Sequence, residues 1–160
     1  ARWQPTPALS LDANAAWIDA TYDEYVTPDG IDLGGEPTGE PWFSASVGGS
    51  YLGDLAASGS LRLSIRHAYR GASRCNDASG TQGTCGRYAA FQIGGASNRT
   101  DVQLQWRSPQ DRWSVAAYAN NLFDNRYVTG LQQYGTTVFG TVGATVSEPR
   151  QFGVEAQFRF

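Results

Sequence analysis

The chain has no methionine, no lysine, a single histidine and only two cysteines. It also contains no apolar run of about 18 residues, which rules out a transmembrane helix. Every basic residue is an arginine, and 12 of them face 15 acidic side chains for a formal net charge of −3. The chain therefore lacks the basic face that nucleic acid requires, and no nucleic-acid partner is expected. One imidazole, His67, and two sulfurs make a poor zinc set, and no metal site is expected. No serine or cysteine sits in a nucleophile's context, and Gly94-Gly95 lacks the strand-then-helix setting of a phosphate cradle. No catalytic residue, cofactor or enzyme activity is expected. No signal peptide is visible and the chain opens on Ala1, so the expectation is a mature form or a piece cut from something larger.

What is present is an unusual pairing of rings and polarity. Nineteen Gly, five Trp, eight Tyr and seven Phe occur in a chain whose mean hydropathy is −0.40. A globular core would draw more on Leu, Ile and Val. Strands that alternate between a wet face and an apolar face, belted by aromatic side chains, would give this mixture. The 160 residues suffice for one domain, and residues 1–160 read as a single segment without an internal linker.

The last stretch shows the alternation best. Phe152, Val154, Ala156, Phe158 and Phe160 share one parity, with Gln151, Gly153, Glu155, Gln157 and Arg159 on the other. That is a period-two strand. Five earlier segments repeat it. Leu9, Leu11, Ala13, Ala15 and Trp17 open a first segment over residues 8–26, and Phe43, Ala45, Val47, Gly49 and Tyr51 mark a second. Leu61, Leu63, Ile65, His67 and Tyr69 mark a third, opposed by Arg62, Ser64, Arg66, Ala68 and Arg70. Val102, Leu104 and Trp106 form a fourth, and Trp113, Val115, Ala117 and Ala119 a fifth. The connections alternate long and short, which predicts an all-β, antiparallel up-and-down meander of about six strands. Short turns near residues 53–59 and 108–111 lie on one edge, and long loops on the other, as in outer-membrane barrels. Trp42, Tyr51, Tyr69, Trp106 and Trp113 lie at strand ends, where an aromatic girdle belongs.

Cys75 and Cys85 flank a polar, Gly-rich stretch, for which a disulfide is the better reading than a metal site; it implies an oxidising compartment. Tyr127, Gln132, Gln133, Tyr134 and Phe139 interleave rings with amides in the last long loop, a composition suited to stacking on sugars or chelates. Girdle residues at a membrane surface explain the same rings without a ligand. His67, on the apolar parity beside Tyr69, reads as an interfacial residue.

The stretch Asn120-Asn121-Leu122-Phe123-Asp124-Asn125-Arg126-Tyr127 resembles the Asn-Leu-Phe-Asp-x-x-Tyr motif near the C-terminus of TonB-dependent outer-membrane receptors. Pro149, Arg150, Phe152, Gly153 and Phe160 match the family's closing strand, and Pro41-Trp42 resembles an earlier strand entry. The resemblance covers the C-terminal end of the family's pattern. It implies the last strands of a 22-strand transmembrane barrel, without the plug domain. It further implies an outer-membrane location in a Gram-negative bacterium, and uptake of a siderophore, cobalamin or oligosaccharide by the intact receptor. The implied partners are outer-membrane lipid, the rest of the barrel and plug, the TonB complex, and the barrel-assembly machinery, for which Phe160 would be the signal.

Six strands fall short of the roughly eight at which membrane barrels close. The alternative reading is therefore a proteolytic receptor fragment, released extracellularly, that self-associates through its strand edges into a β-rich oligomer or fibre. A third is a soluble ligand-binding β-sandwich.

Overall fold

The computed structural model describes residues 1–79, 85–87, 92–133 and 142–160. In chain order the strands are β1 (Arg2–Thr6), β2 (Leu9–Trp17), β3 (Phe43–Asp54), β4 (Ser60–Arg70), β5 (Gly86–Arg87), β6 (Gln92–Ile93), β7 (Ser97–Arg107), β8 (Trp113–Asn120), β9 (Val128–Gln133), β10 (Val142–Val146) and β11 (Gln151–Phe158). Seven form one antiparallel meander in the order β1-β2-β3-β4-β7-β8-β11. The other four make a small sheet, β10-β9-β6-β5, built entirely within the long connections.

The meander has one strand more than the alternation predicts. β1 carries Pro5 and pairs with β2 through an irregular register between Trp3 and Thr6. Proline donates nothing to a ladder and survives on an edge strand or at a bulge, so this strand leaves little pattern to read. The first segment also ends earlier than expected. β2 stops at Trp17, and residues 18–42 turn away into a loop closed by the isolated bridges Thr21–Pro37, Tyr22–Gly34 and Val26–Asp32.

Cross-strand partners in an antiparallel pair share a face. One row runs Leu11, Gly49, Ile65, Val102, Ala119 and Phe152, and the next runs Leu9, Tyr51, Leu63, Leu104, Ala117 and Val154. The row between them runs Ser10, Ser50, Ser64, Gln103, Tyr118, Gly153, and the row beyond Leu11 runs Asp12, Gly48, Arg66, Asp101. The apolar and polar parities thus stay on opposite faces across the sheet, and none of the described residues covers the apolar one. Val47, Ile65 and Val154 are 54%, 46% and 74% exposed. A sandwich would bury these residues against a second sheet, so the soluble-sandwich reading fails. Buried apolar side chains lie mainly in the connections instead: Leu33, Ala78, Cys85 and Ile93, with only Ala116 from the meander.

The turns 7–8, 55–59 and 108–112 lie on one edge, beside the end of β11, whose Phe158 pairs with Trp113. The connections 18–42, 71–96 and 121–150 lie on the other. Aromatic rings collect at both edges. Trp17 packs on Trp42 at 5.8 Å and on Phe43 at 6.3 Å, and Phe43 meets Tyr69 at 6.3 Å. At the turn edge Trp113 packs on Phe158 at 4.6 Å, and Phe160 meets Phe158 edge-on at 5.1 Å. On β3, Phe43 belongs to the loop-edge belt and Tyr51 is the last ring toward the turn edge, about 26 Å further along the strand at a rise of ~3.3 Å per residue.

Candidate functional site

Three arrangements could carry function: the polar face, a clip at the loop edge, and the long connections. On the polar face, the curvature of the sheet leaves a trough of about 600 Å³ lined by Asp12, Arg66, Asp101, Gln103, Tyr118 and Glu155, among others. Asp12, Arg66 and Asp101 alternate in sign along one row, with Gly48 between the first two. The Arg66 Nη2 reaches Asp12 Oδ2 at 3.5 Å across Gly48, where a Cβ would strike the carboxylate. Both side chains stay largely solvated, so the pair is worth at most about 1 kcal/mol. Its chemistry is that of a wet, mixed-charge wall.

The clip is built from the motif residues. Asn121 is buried, and its backbone is left-handed at φ 50°, as is Asp124 at φ 53°. Asn and Asp tolerate this region better than other side chains because their short polar groups bond locally. The Asn121 Nδ2 donates to the carbonyls of Asn125 (2.9 Å) and Glu148 (3.0 Å), and its Oδ1 accepts from the Asn125 amide (3.1 Å). The Asn121 amide donates to Asp101 Oδ1 at 2.9 Å, and the Leu122 amide to the Thr100 carbonyl at 2.8 Å. Asp124 Oδ1 accepts the Arg150 amide at 2.9 Å and the Arg126 Nε at 3.2 Å. The Asn125 side chain also bonds to that of Asn98. The exit of β8, the start of β7 and the entry to β11 are thereby fastened together. The Arg150 amide first, and the Arg126 guanidinium second, hold the Asp124 carboxyl below the usual aspartate range.

Gly153 follows from a neighbour on β8. The Tyr118 ring lies against it across the strand pair, in the space a Cβ would take. Pro149 leads into β11, the Arg150 guanidinium stands 5.4 Å from the Phe152 ring, and Phe152 itself is exposed on the apolar face. Phe123 is exposed beyond the clip, and Leu122 is half-buried within it.

Among the ring-and-amide residues, Tyr127 stands at the base of the β9–β10 hairpin, exchanging bonds with Ser147 at 2.8 and 3.1 Å. Gln132 and Gln133 lie on β9, opposite Gly143 and Val142. Tyr134 and Phe139 lie outside the described residues. Of the five positions, Tyr127, Gln132 and Gln133 are thus placed at or on the β9–β10 pair. Cys75 and Cys85 are disulfide-bonded, with Cα atoms 5.4 Å apart. His67 lies on the apolar face, its Nδ1 2.8 Å from Thr100 Oγ1, in the half of the sheet nearer the loops.

Sequence reasoning did not single out Arg74, Asn98, Asp101 or Tyr118. Arg74 carries no signal beyond its place before Cys75; the other three are partners of motif residues and become visible only through the register.

The architecture is that of an open antiparallel wall: a meander with one apolar face left uncovered by the described residues, one polar face, short turns at one edge and long loops at the other. No protein-family model matches the chain, and neither does any curated protein. Among solved structures, the ferric yersiniabactin uptake receptor FyuA from Yersinia pestis is similar over 99% of this chain, with a TM-score of 0.69 and 21% identity. The fold is therefore that of a segment of a TonB-dependent receptor barrel. The chain spans about a fifth of that receptor, 22% of its length. The likeness is to an uptake receptor.

Proposed function

We propose that the chain forms part of the barrel wall and external loops of an outer-membrane receptor for TonB-coupled uptake of a siderophore, cobalamin or oligosaccharide. The observation that carries this reading is the unbroken separation of faces across six paired strands, β2 to β11, with the apolar side uncovered among the described residues. In this reading the apolar face meets outer-membrane lipid, and the polar trough lines the lumen against the plug. The turns and Phe160 face the periplasm, with Phe160 read by the barrel-assembly machinery. The connections face outward in an oxidising space, which suits the disulfide. Tyr127, Gln132, Gln133, Tyr134 and Phe139 are the ligand-contact candidates of the last long connection. The clip of Asn121, Leu122, Phe123, Asp124 and Tyr127 with Pro149, Arg150, Phe152 and Gly153 keeps the outer rim in register. In this reading no catalytic role falls to the chain, and energy and gating belong to the plug and the TonB complex.

Single cysteines test this directly. An environment-sensitive fluorophore at Val47, Ile65 or Leu104 is expected to be strongly quenched by brominated lipid in bilayers. The same probe at Ser46, Ser64 or Gln103 is expected to be quenched weakly. Equal quenching on the two faces would sink the reading.

One observation favours a second reading. Among the described residues, β1 and β11 each have an unpaired outer edge. In the receptor these edges meet the remaining barrel strands. In a released fragment they would meet other copies and build a β-rich oligomer or fibre.

A further inference from the structure

The connections 18–42 and 71–96 flank the β3–β4 pair and meet at residues 73–76. The Ser73 amide donates to the Gly94 carbonyl at 2.7 Å, and Ser73 is bridged to Pro41. Cys75 is bonded to Cys85, and the Asn76 Nδ2 donates to the Pro37 carbonyl at 2.8 Å. Between them lies Arg74, whose side chain is only 11% exposed. Its Nη1 meets Asp19 Oδ1 at 2.8 Å, its Nη2 donates to the Ala20 carbonyl and its Nε to the Glu40 carbonyl at 3.4 Å. The face of the guanidinium stands 4.5 Å from the Trp42 ring. All four partners belong to the connection 18–42, and they come from both of its stems.

A buried cation is tolerated only while it is paired and hydrogen-bonded. Lifting either connection strips Arg74 of its partners, so the cost of opening falls on both. We propose that residues 73–76 lock the connections 18–42 and 71–79 into one cooperative unit that opens as a whole, with Arg74 as the bolt and the Cys75–Cys85 disulfide holding it in place. Among the described residues, the third connection pairs with the far end of the connection 71–96, outside this unit, through a single parallel pair, Ile93 with Val128. Independent movement at the loop edge is thereby left to the β9–β10 hairpin. The inference rests on the contacts alone and stands whether or not the chain serves in uptake.

Hydrogen exchange read by mass spectrometry on the full chain in detergent tests it. Arg74→Ala is expected to accelerate exchange about tenfold or more in peptides from both 20–38 and 72–79, leaving β3 and β4 protected. Arg74→Lys keeps the charge but not the planar fork, so both segments should accelerate together by a smaller factor. Reducing the wild-type disulfide with a dithiol should likewise loosen both. The lysine variant and the reduction decide the matter if the alanine variant loses strand protection as well. Acceleration confined to one of the two segments, or none in either, overturns the proposal.

Discussion

A chain that leaves one strand and returns to the next must reverse direction while keeping its amides bonded, and Asn121 and Asp124 show how two side chains meet both demands. Each takes a left-handed backbone at the loop edge, and each turns a side-chain oxygen onto an amide across the turn. The carboxylate at 124 carries a pH dependence with a definite sign. Its folded pKa is lowered by the Arg150 amide and the Arg126 guanidinium. Its contribution to stability is therefore complete above the ordinary aspartate value of about 4 and is lost as pH falls through the folded value. Denaturant midpoints of the wild type and Asp124→Asn should differ at pH 7 and converge below about pH 4. A difference that stays constant with pH would count against the pairing. The motif residues were legible because they stand in a recognisable string. Arg74 was not, because its partners lie more than 30 positions away and no local pattern announces a buried cation.

At the scale of the strand, alternation was enough to read β3, β4, β7, β8 and β11, since each keeps apolar and polar residues on separate parities for many positions. The same rule had nothing to grip in β1, interrupted by Pro5, or in β9 and β10. Those two lie in a Gly- and Thr-rich stretch without alternation, where pairing depends on the partner strand and not on a solvent boundary. Tyr22 and Tyr25 extended the first segment falsely; they stack on each other at 5.2 Å in a loop. The pairing of β8 with β11 offers a test that belongs to this scale. Gly153→Ala should cost about 1–3 kcal/mol by forcing the Tyr118 ring aside. In a Tyr118→Ser background the same change should cost less, with a coupling of at least about 0.5 kcal/mol. Additive effects in unfolding experiments would show that the ring can move freely.

Taken whole, the molecule has its dry interior in the wrong place for a water-soluble sheet protein. Leu33, Ala78, Cys85 and Ile93 are buried among the connections, whereas the sheet offers the solvent an apolar wall. Such a wall needs lipid, detergent or another copy of itself. Mass measurement with electron microscopy should find a dispersed species in detergent. Filaments that form and stay soluble without detergent would favour the self-assembling fragment over the membrane wall.

The spacing of the two ring belts sets a further demand on the surroundings. The ~26 Å between Phe43 and Tyr51 amounts to only about 20 Å of height at the ~40° tilt usual in membrane barrels. That is roughly 5 Å less than the ~25 Å apolar band typical of such proteins. A thicker bilayer would have to pinch inward beside β3, at fractions of a kcal/mol for each ångström of mismatch. In the proposed membrane setting the wall would act on lipid as much as lipid acts on it, drawing a thin annulus around this side and favouring a thin membrane over a thick one.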